Sequence, residues 1–254
     1  MRLHHDVLGP SGAPPLLMGG SLGTTVRMWD RQAPLAEKLR LVRFDHRGHG
    51  SSPTPPGPYE IADLGRDVLE LMDGLGLERA SYCGLSIGGM VGIWLAANAP
   101  ERIEALVLIC SLPYMPPRSK WQARAAAVLA AGSTEPIADA VLAGWLTPEF
   151  AAHDPDVRAS LRAMLVGSPA EGYAACCGAI ERMDLRAELP RISAPTLLIS
   201  GSDDPSAPPA EMALVAAAIP SARQEVVSPA AHIAAVEQAQ AVNELILEHV
   251  SGRV

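Results

Sequence analysis

Strand-like and helix-like stretches alternate along most of this 254-residue chain. That alternation restricts the fold more than any other feature of the sequence. Apolar runs at Pro14–Gly20, Leu39–Asp45, Glu78–Gly84, Ile103–Ser111, Pro195–Gly201 and Arg223–Ser228 read as strands. Helical patterns separate them. "EIADLGRDVLELMDGLGL" places Ile61, Leu64, Val68, Leu71 and Leu75 on one face and closes on glycines. "GGMVGIWLAANAP", "AEMALVAAAIP" and "VNELILEHV" complete the set. Parallel strands need long crossovers, and helices supply them. The class is therefore α/β, a mainly parallel sheet flanked by helices on both faces.

From about Pro113 to Leu185 this rhythm stops. Alanine-rich helical segments ("WQARAAAVLAAG", "IADAVLAGWL", "VRASLRAMLVG", "GYAACCGAIERM") follow one another, separated by proline and glycine. We expect a helical insertion over 113–185, within a core formed by 1–112 and 186–254. The proline-rich "SSPTPPGPY" reads as a surface loop.

Hydrophobic residues make up 48% of the chain, which supports a sizeable buried core. The formal net charge of −8 argues against nucleic acid or an anionic membrane as a partner. Cys83, Cys110, Cys176 and Cys177 lack C-x-x-C spacing and histidine-rich surroundings, so no metal site is expected. Cys83 and Cys110 fall at the ends of predicted strands and read as small apolar packing residues. No glycine-rich nucleotide motif opens a helix after the first strand, so no cofactor is expected. The N-terminus lacks the charged-then-apolar pattern of a signal peptide, and no apolar stretch is long enough to span a bilayer. A cytoplasmic protein with reduced cysteines is the expectation. A homo-oligomer is compatible with the sequence.

"YCGLSIGGMVG" holds a serine, Ser86, between Gly84 and Gly88. A G-x-S-x-G arises by chance in roughly one chain in ten of this length, given ordinary glycine usage. The context makes the pattern informative. It follows a predicted strand and opens a predicted helix, the setting of a strained turn that lifts a serine hydroxyl clear of the sheet. Strand and helix nearly touch there, so only very small residues fit two positions either side. A serine hydroxyl needs a base. His232, in "SPAAHIAAVEQ", follows the last predicted strand and is the candidate. The acid should follow a late strand, where "LLISGSDDPSAPP" offers Asp203 and Asp204. The order Ser86, acid, His232 fits a catalytic triad. An oxyanion needs two N–H donors: Ile87, after the nucleophile, and Leu22, in the "GGSLGTT" loop after the first strand. Arg47 and His49 lie in "FDHRGHGSS", which reads as a loop held by its own charged hydrogen bonds.

Over its whole length the chain resembles the α/β-hydrolase superfamily, and within it the 3-oxoadipate enol-lactonases of aromatic catabolism. The shared stretches are "SLGTTVRMWDRQ", "RFDHRGHGSS", "GPYEIADLGRDVLELMDGLGLERASYCGLSIGGMVG", "GWLTPEF", "GYAACCGAIERMDLR" and "AAHIAAVEQ". The resemblance implies an α/β-hydrolase fold in which the insertion forms a helical cap over the site. It implies a serine esterase acting as a lactonase in the β-ketoadipate pathway. Ser86 would open a carboxylated enol-lactone through an acyl-enzyme. In such proteins the acid lies three residues after the glycine closing its strand, and counting from Gly201 gives Asp204.

The implied substrate is a small anion. The segment 113–185 carries Arg118, Lys120, Arg124, Arg158, Arg162 and Arg182, but also eight acidic residues, so one or two specific cations must hold it. Arg124 is the first choice, with Trp121 and Trp145 as a packing wall or as core of the cap. Gly20 stands where the family often has asparagine, Gly144 where it has arginine, and Ala234–Ala235 where it has Ser-Asn. These departures bear on the pocket, not on the triad. A related esterase, another lactonase or a carbon–carbon bond hydrolase shares the same machinery. A non-catalytic binding protein on this fold would not need all three triad residues.

Overall fold

The structure, a computed structural model, describes residues 1–252. Seven strands form one sheet: β1 (His5–Leu8), β2 (Pro15–Gly19), β3 (Arg40–Phe44), β4 (Ala80–Leu85), β5 (Ile103–Ile109), β6 (Thr196–Gly201) and β7 (Ala222–Val227). Their order is β1-β3-β2-β4-β5-β6-β7, and only β1 runs antiparallel. The six predicted strands are present. β1 was not predicted: its four residues, "HDVL", carry two polar side chains and too short a period to read, and it is specified by pairing with β3 at the sheet edge.

Residues of β4, β6 and nearly all of β5 are buried on both faces, as expected of strands covered by helices on each side. Helix α1 (Ile61–Gly74) begins with a reciprocal capping box between Glu60 and Asp63. Helix α2 (Ile87–Asn98) follows β4 and is apolar around most of its circumference, since it lies against the sheet and under α1. Five helices fall between β5 and β6: α3 (Arg118–Ala131), α4 (Ala138–Trp145), α5 (Pro148–His153), α6 (Pro155–Val166) and α7 (Ala170–Arg182). Among the described residues no strand occurs in this stretch. Helix α8 (Pro209–Ala218) joins β6 to β7, and α9 (Ala234–Glu237) and α10 (Ala239–Ser251) end the described chain. No described helix is long and apolar enough to cross a membrane.

The topology fixes where chemistry can occur. From β2 the chain moves to one side to form β3, then returns to β4 on the other side of β2. The carboxyl ends of β2 and β4 therefore flank the point where the strand order reverses, the usual ligand crevice of an open parallel sheet. Gly19 and Gly84 pair across these strands, so the loops leaving them emerge side by side.

Candidate active site

Ser86 sits between β4 and α2 with φ 57° and ψ −118°, backbone angles that non-glycine residues rarely adopt. The glycines around it permit that turn. A Cβ on Gly84 would lie 2.2 Å from the Gly88 carbonyl oxygen, and one on Gly88 would lie 2.1 Å from that of Gly19. Both obstacles are backbone and cannot step aside. The turn is held from beneath: Ser86 N–H donates to Ile109 O at 3.0 Å, Ser111 Oγ to Ser86 O at 2.8 Å, and the buried Tyr82 hydroxyl to Gly88 O at 3.0 Å.

Asp204 and His232 arrive from the loops after β6 and β7. His232 Nδ1 lies 2.9 Å from Asp204 Oδ2. The other Asp204 oxygen accepts from Ser206 N–H at 2.8 Å. Burial opposes the charge of this carboxyl, but His232, with the Ser206 and Ala207 N–H groups, outweighs burial and holds its pKa below the ordinary carboxylate value. The carboxylate thus stays ionised beside the imidazole and fixes its orientation. Asp203, next in the chain, is exposed and accepts from Ser202 Oγ at 2.6 Å, so it faces away from His232.

The loop after β2 packs on the opening turn of α2. Gly88 N–H donates to Gly20 O at 3.2 Å. Of the amides from Ser21 to Thr24, Ser21 donates to Met28 Sδ, Gly23 to His49 Nε2 at 2.8 Å, and Thr24 to Ser21 O. Among the described residues no hydrogen bond engages the Leu22 N–H. Ile87 opens α2, where the N–H groups have no partner within the helix and the helix dipole favours negative charge. Two donors are therefore spare at the mouth of the Ser86 turn.

His46 and His49 hold this loop, and sequence reading had assigned them no such part. Both are buried. His46 Nε2 is 3.2 Å from Gly20 O and donates to it, while His49 Nε2 accepts from Gly23 and its Nδ1 donates to Arg47 O at 3.2 Å. The two His49 bonds require a neutral ring with its proton on Nδ1, whereas His46 carries a proton on Nε2. Burial lowers the His46 pKa to about 3, helped by the neighbouring His49, and lowers that of His49 to about 4. The remainder of the loop is held by charge, in part from outside it: Arg47 pairs with the buried Asp67 of α1 at 2.5 Å. Asp45 accepts from Val26 and Ser51 N–H groups at 2.7 and 2.9 Å.

A cavity of about 270 Å³ opens above Ser86. Ser21, Leu22, Ser86 and His232 form its floor, and Trp121, Arg124, Gly144, Trp145 and Tyr173 come from the helices between β5 and β6. Ile87 and Asp204 are buried and do not line it. Arg158 and Arg162 pair with Asp139 and Glu135, whereas Lys120 and Arg124 line the cavity. Each lies over the Trp121 ring, at 5.8 and 5.1 Å from its centroid, and neither joins a carboxylate among the described residues. The Tyr173 hydroxyl is fully buried at the wall, beside the Arg124 guanidinium.

The departures from the family pattern separate here. Gly144 lines the cavity, with only Pro205 Cγ near a built Cβ, at 3.8 Å. Ala234 and Ala235 are wholly buried and do not line it. A Cβ on Gly20 would meet Thr24 Oγ1 at 2.7 Å and Met28 Sδ at 2.8 Å, so this loop has closed around the glycine.

Two further buried groups lie close to His232. Cys110 follows β5, not as a passive strand end but with a left-handed φ of 47°, its sulfur within 4.8 Å of Asp204 and His232. Cys83 lies inside β4 rather than at its end. Burial above all, with Asp204 alongside, pushes the Cys110 thiol well above its ordinary pKa. The second group is the Glu237 carboxyl, which accepts from Thr147 N–H and Oγ1 at 2.9 and 2.7 Å and from Ala231 N–H at 2.6 Å.

The sequence profile of the alpha/beta hydrolase fold matches residues 14–239. A 3-oxoadipate enol-lactonase of Acinetobacter baylyi is 39% identical over 97% of this chain and 92% of its own. The solved enol-lactonase of Burkholderia xenovorans LB400 superposes with a TM-score of 0.95, at 40% identity, over 98% of this chain and 96% of that one. A thermophilic esterase of Thermogutta terrifontis, solved with malate bound, gives a TM-score of 0.92 at 28% identity, over 98% and 93% of the two chains. The chain belongs to the α/β-hydrolase family, as an ester-hydrolysing enzyme of the enol-lactonase-like kind.

Proposed function

We propose that this protein is a serine hydrolase that opens 3-oxoadipate enol-lactone, or a close carboxylated relative, to the open-chain acid. The reading rests chiefly on the convergence of the strained Ser86 turn and the Asp204–His232 pair on one small cavity. Ser86 Oγ attacks the lactone carbonyl carbon while His232 Nε2 takes its proton. Leu22 and Ile87 N–H groups hold the developing oxyanion. Collapse breaks the ring C–O bond, and the enol released becomes a ketone after proton transfer. Water, deprotonated by His232, then attacks the Ser86 ester and frees 3-oxoadipate. The step belongs to aromatic catabolism.

The anionic end of the substrate would lie among Lys120, Arg124 and the Tyr173 hydroxyl, against Trp121 and Trp145. Two cations without carboxylate partners among the described residues, in a chain of net charge −8, support an anionic ligand. So does the malate in the related esterase. The helices of 113–185 would act as the cap that completes this pocket.

The test follows loss of the enol-lactone chromophore with wild type and with Ser86→Ala. Turnover by the wild type and none by the variant is expected. A folded wild type that hydrolyses p-nitrophenyl acetate but leaves the enol-lactone untouched would move the assignment to a related esterase.

A further inference from the structure

The stretches "GWLTPEF" and "AAHIAAVEQ" lie some 90 residues apart, yet the structure joins them at a single carboxylate. Glu237 closes α9 with its side chain almost fully buried. Its Oε1 accepts from both Thr147 N–H and Thr147 Oγ1, and its Oε2 accepts from Ala231 N–H. All three donors are neutral. A buried carboxylate without a cation is costly unless its oxygens are fully used, and here both are.

The donors define what is fastened to what. Ala231 immediately precedes His232. Ile233, on its other side, donates its N–H to Trp145 O at 2.9 Å. Trp145 ends α4 and lines the cavity, and Thr147 caps α5 through Phe150 N–H. The backbone on each side of His232 is therefore tied to the same few residues between α4 and α5: directly through Trp145 O, and through the Glu237 carboxylate to Thr147. The sheet alone does not place this loop. The helical wall of the cavity helps to place it.

We infer that Glu237 is a positioning residue, which sets His232 against the Trp145 wall of the pocket by clamping Ala231 to Thr147. The inference rests on the reading of His232 as the base. Glu237→Gln keeps the size of the side chain but exchanges one acceptor oxygen for an NH2 donor, so one N–H, of Ala231 or of Thr147, must face another donor. Thr147→Val removes one donor from the wall side, while Thr147→Ser keeps it.

The experiment measures kcat and KM for p-nitrophenyl acetate. Enzyme concentration is counted by fluorophosphonate titration of Ser86, so that only competent molecules enter. Glu237→Gln should lower kcat per titrated site about 10- to 100-fold with KM changed less than about threefold, the scale of a base displaced by a fraction of an ångström. Thr147→Val should lower it about 3- to 10-fold, and Thr147→Ser should stay within about twofold of wild type. The Glu237→Gln, Thr147→Val pair should be no slower than Glu237→Gln, because both act through one carboxylate.

A role in stability alone would shift the melting temperature and leave kcat per site unchanged, and that result overturns the inference. Fully additive losses in the double variant also overturn it. If Glu237→Gln does not fold, the contrast between Thr147→Val and Thr147→Ser decides: equal rates overturn the inference. A wild type whose Ser86 is not labelled by the fluorophosphonate removes the serine-hydrolase reading itself, and this inference with it.

Discussion

Lowering the pH from 8 to 5 should destabilise this protein through His46 and His49. Folded, the two rings titrate at about 3 and about 4. Unfolded, each titrates near 6.5. Both folded values are depressed, so the unfolded chain binds the extra protons. The stabilisation is complete above about pH 6.5 and is lost as pH falls towards the folded values. Between pH 6.5 and 5 each ring loses about 2 kcal/mol, at 1.36 kcal/mol per pH unit. Together they remove about 4 kcal/mol, a large part of a typical domain stability of 5–15 kcal/mol. Carboxylates titrate mostly below this window. Asp45, raised chiefly by burial, acts in the opposite sense and blunts the loss at the acid end. Urea unfolding at pH 8, 6.5 and 5 measures the slope, with the midpoint falling by more than about 1 M if m is near 3 kcal/mol/M. Comparison of wild type with His46→Gln and His49→Gln cancels the carboxylate contribution. Each variant should lose about half of the pH dependence. A wild-type slope that neither variant changes would refute the assignment of neutral, buried rings.

Gly88→Ala drives a Cβ to 2.1 Å from the Gly19 carbonyl oxygen, so thermal or urea unfolding should show a loss of about 3 kcal/mol or more, with activity abolished. His232→Ala should label with fluorophosphonate at least about a hundredfold more slowly than wild type, and equal rates would remove it as the base. Arg124→Ala should raise KM for an anionic ester about tenfold or more while leaving neutral p-nitrophenyl acetate within about threefold; equal effects on both esters would count against an anion site. Lys120→Ala should show the same selectivity to a smaller degree in the same kinetic comparison, and Gly144→Arg should shift the preference further towards anions.

The sheet was legible because parallel strands buried on both faces are written as continuous apolar runs, as in "IEALVLI" and "TLLIS". The exception, β1, is a partner to an existing edge, and its four residues carry no pattern of their own. The Ser86 turn was legible because steric demand on Gly84 and Gly88 is local. The choice of Asp204 over Asp203 was not local. It came from family likeness, and in the structure it corresponds to one carboxylate turned inward and one left exposed. Glu237 and the histidine pair were not legible at all. Their partners, Thr147, Ala231, Gly20 and Gly23, are backbone or small polar groups distant in sequence, and no composition or periodicity marks such bonds. Gly20 and the alanines at 234 and 235 read as pocket changes in sequence, yet in space they are packing positions.

Gly144 stands apart from all of these. It occupies the cavity wall, its backbone angles are ordinary, and a Cβ there would meet nothing closer than 3.8 Å. Gly20, Gly84 and Gly88, around the Ser86 turn, are each hemmed in by close neighbours, so a larger residue at any of them disturbs the fold. Position 144 carries no such constraint. It is where selection can reshape the cavity without renegotiating stability, and a few substitutions there would carry descendants of this chain to different ligands while the Ser86 turn and the Asp204–His232 pair are inherited intact.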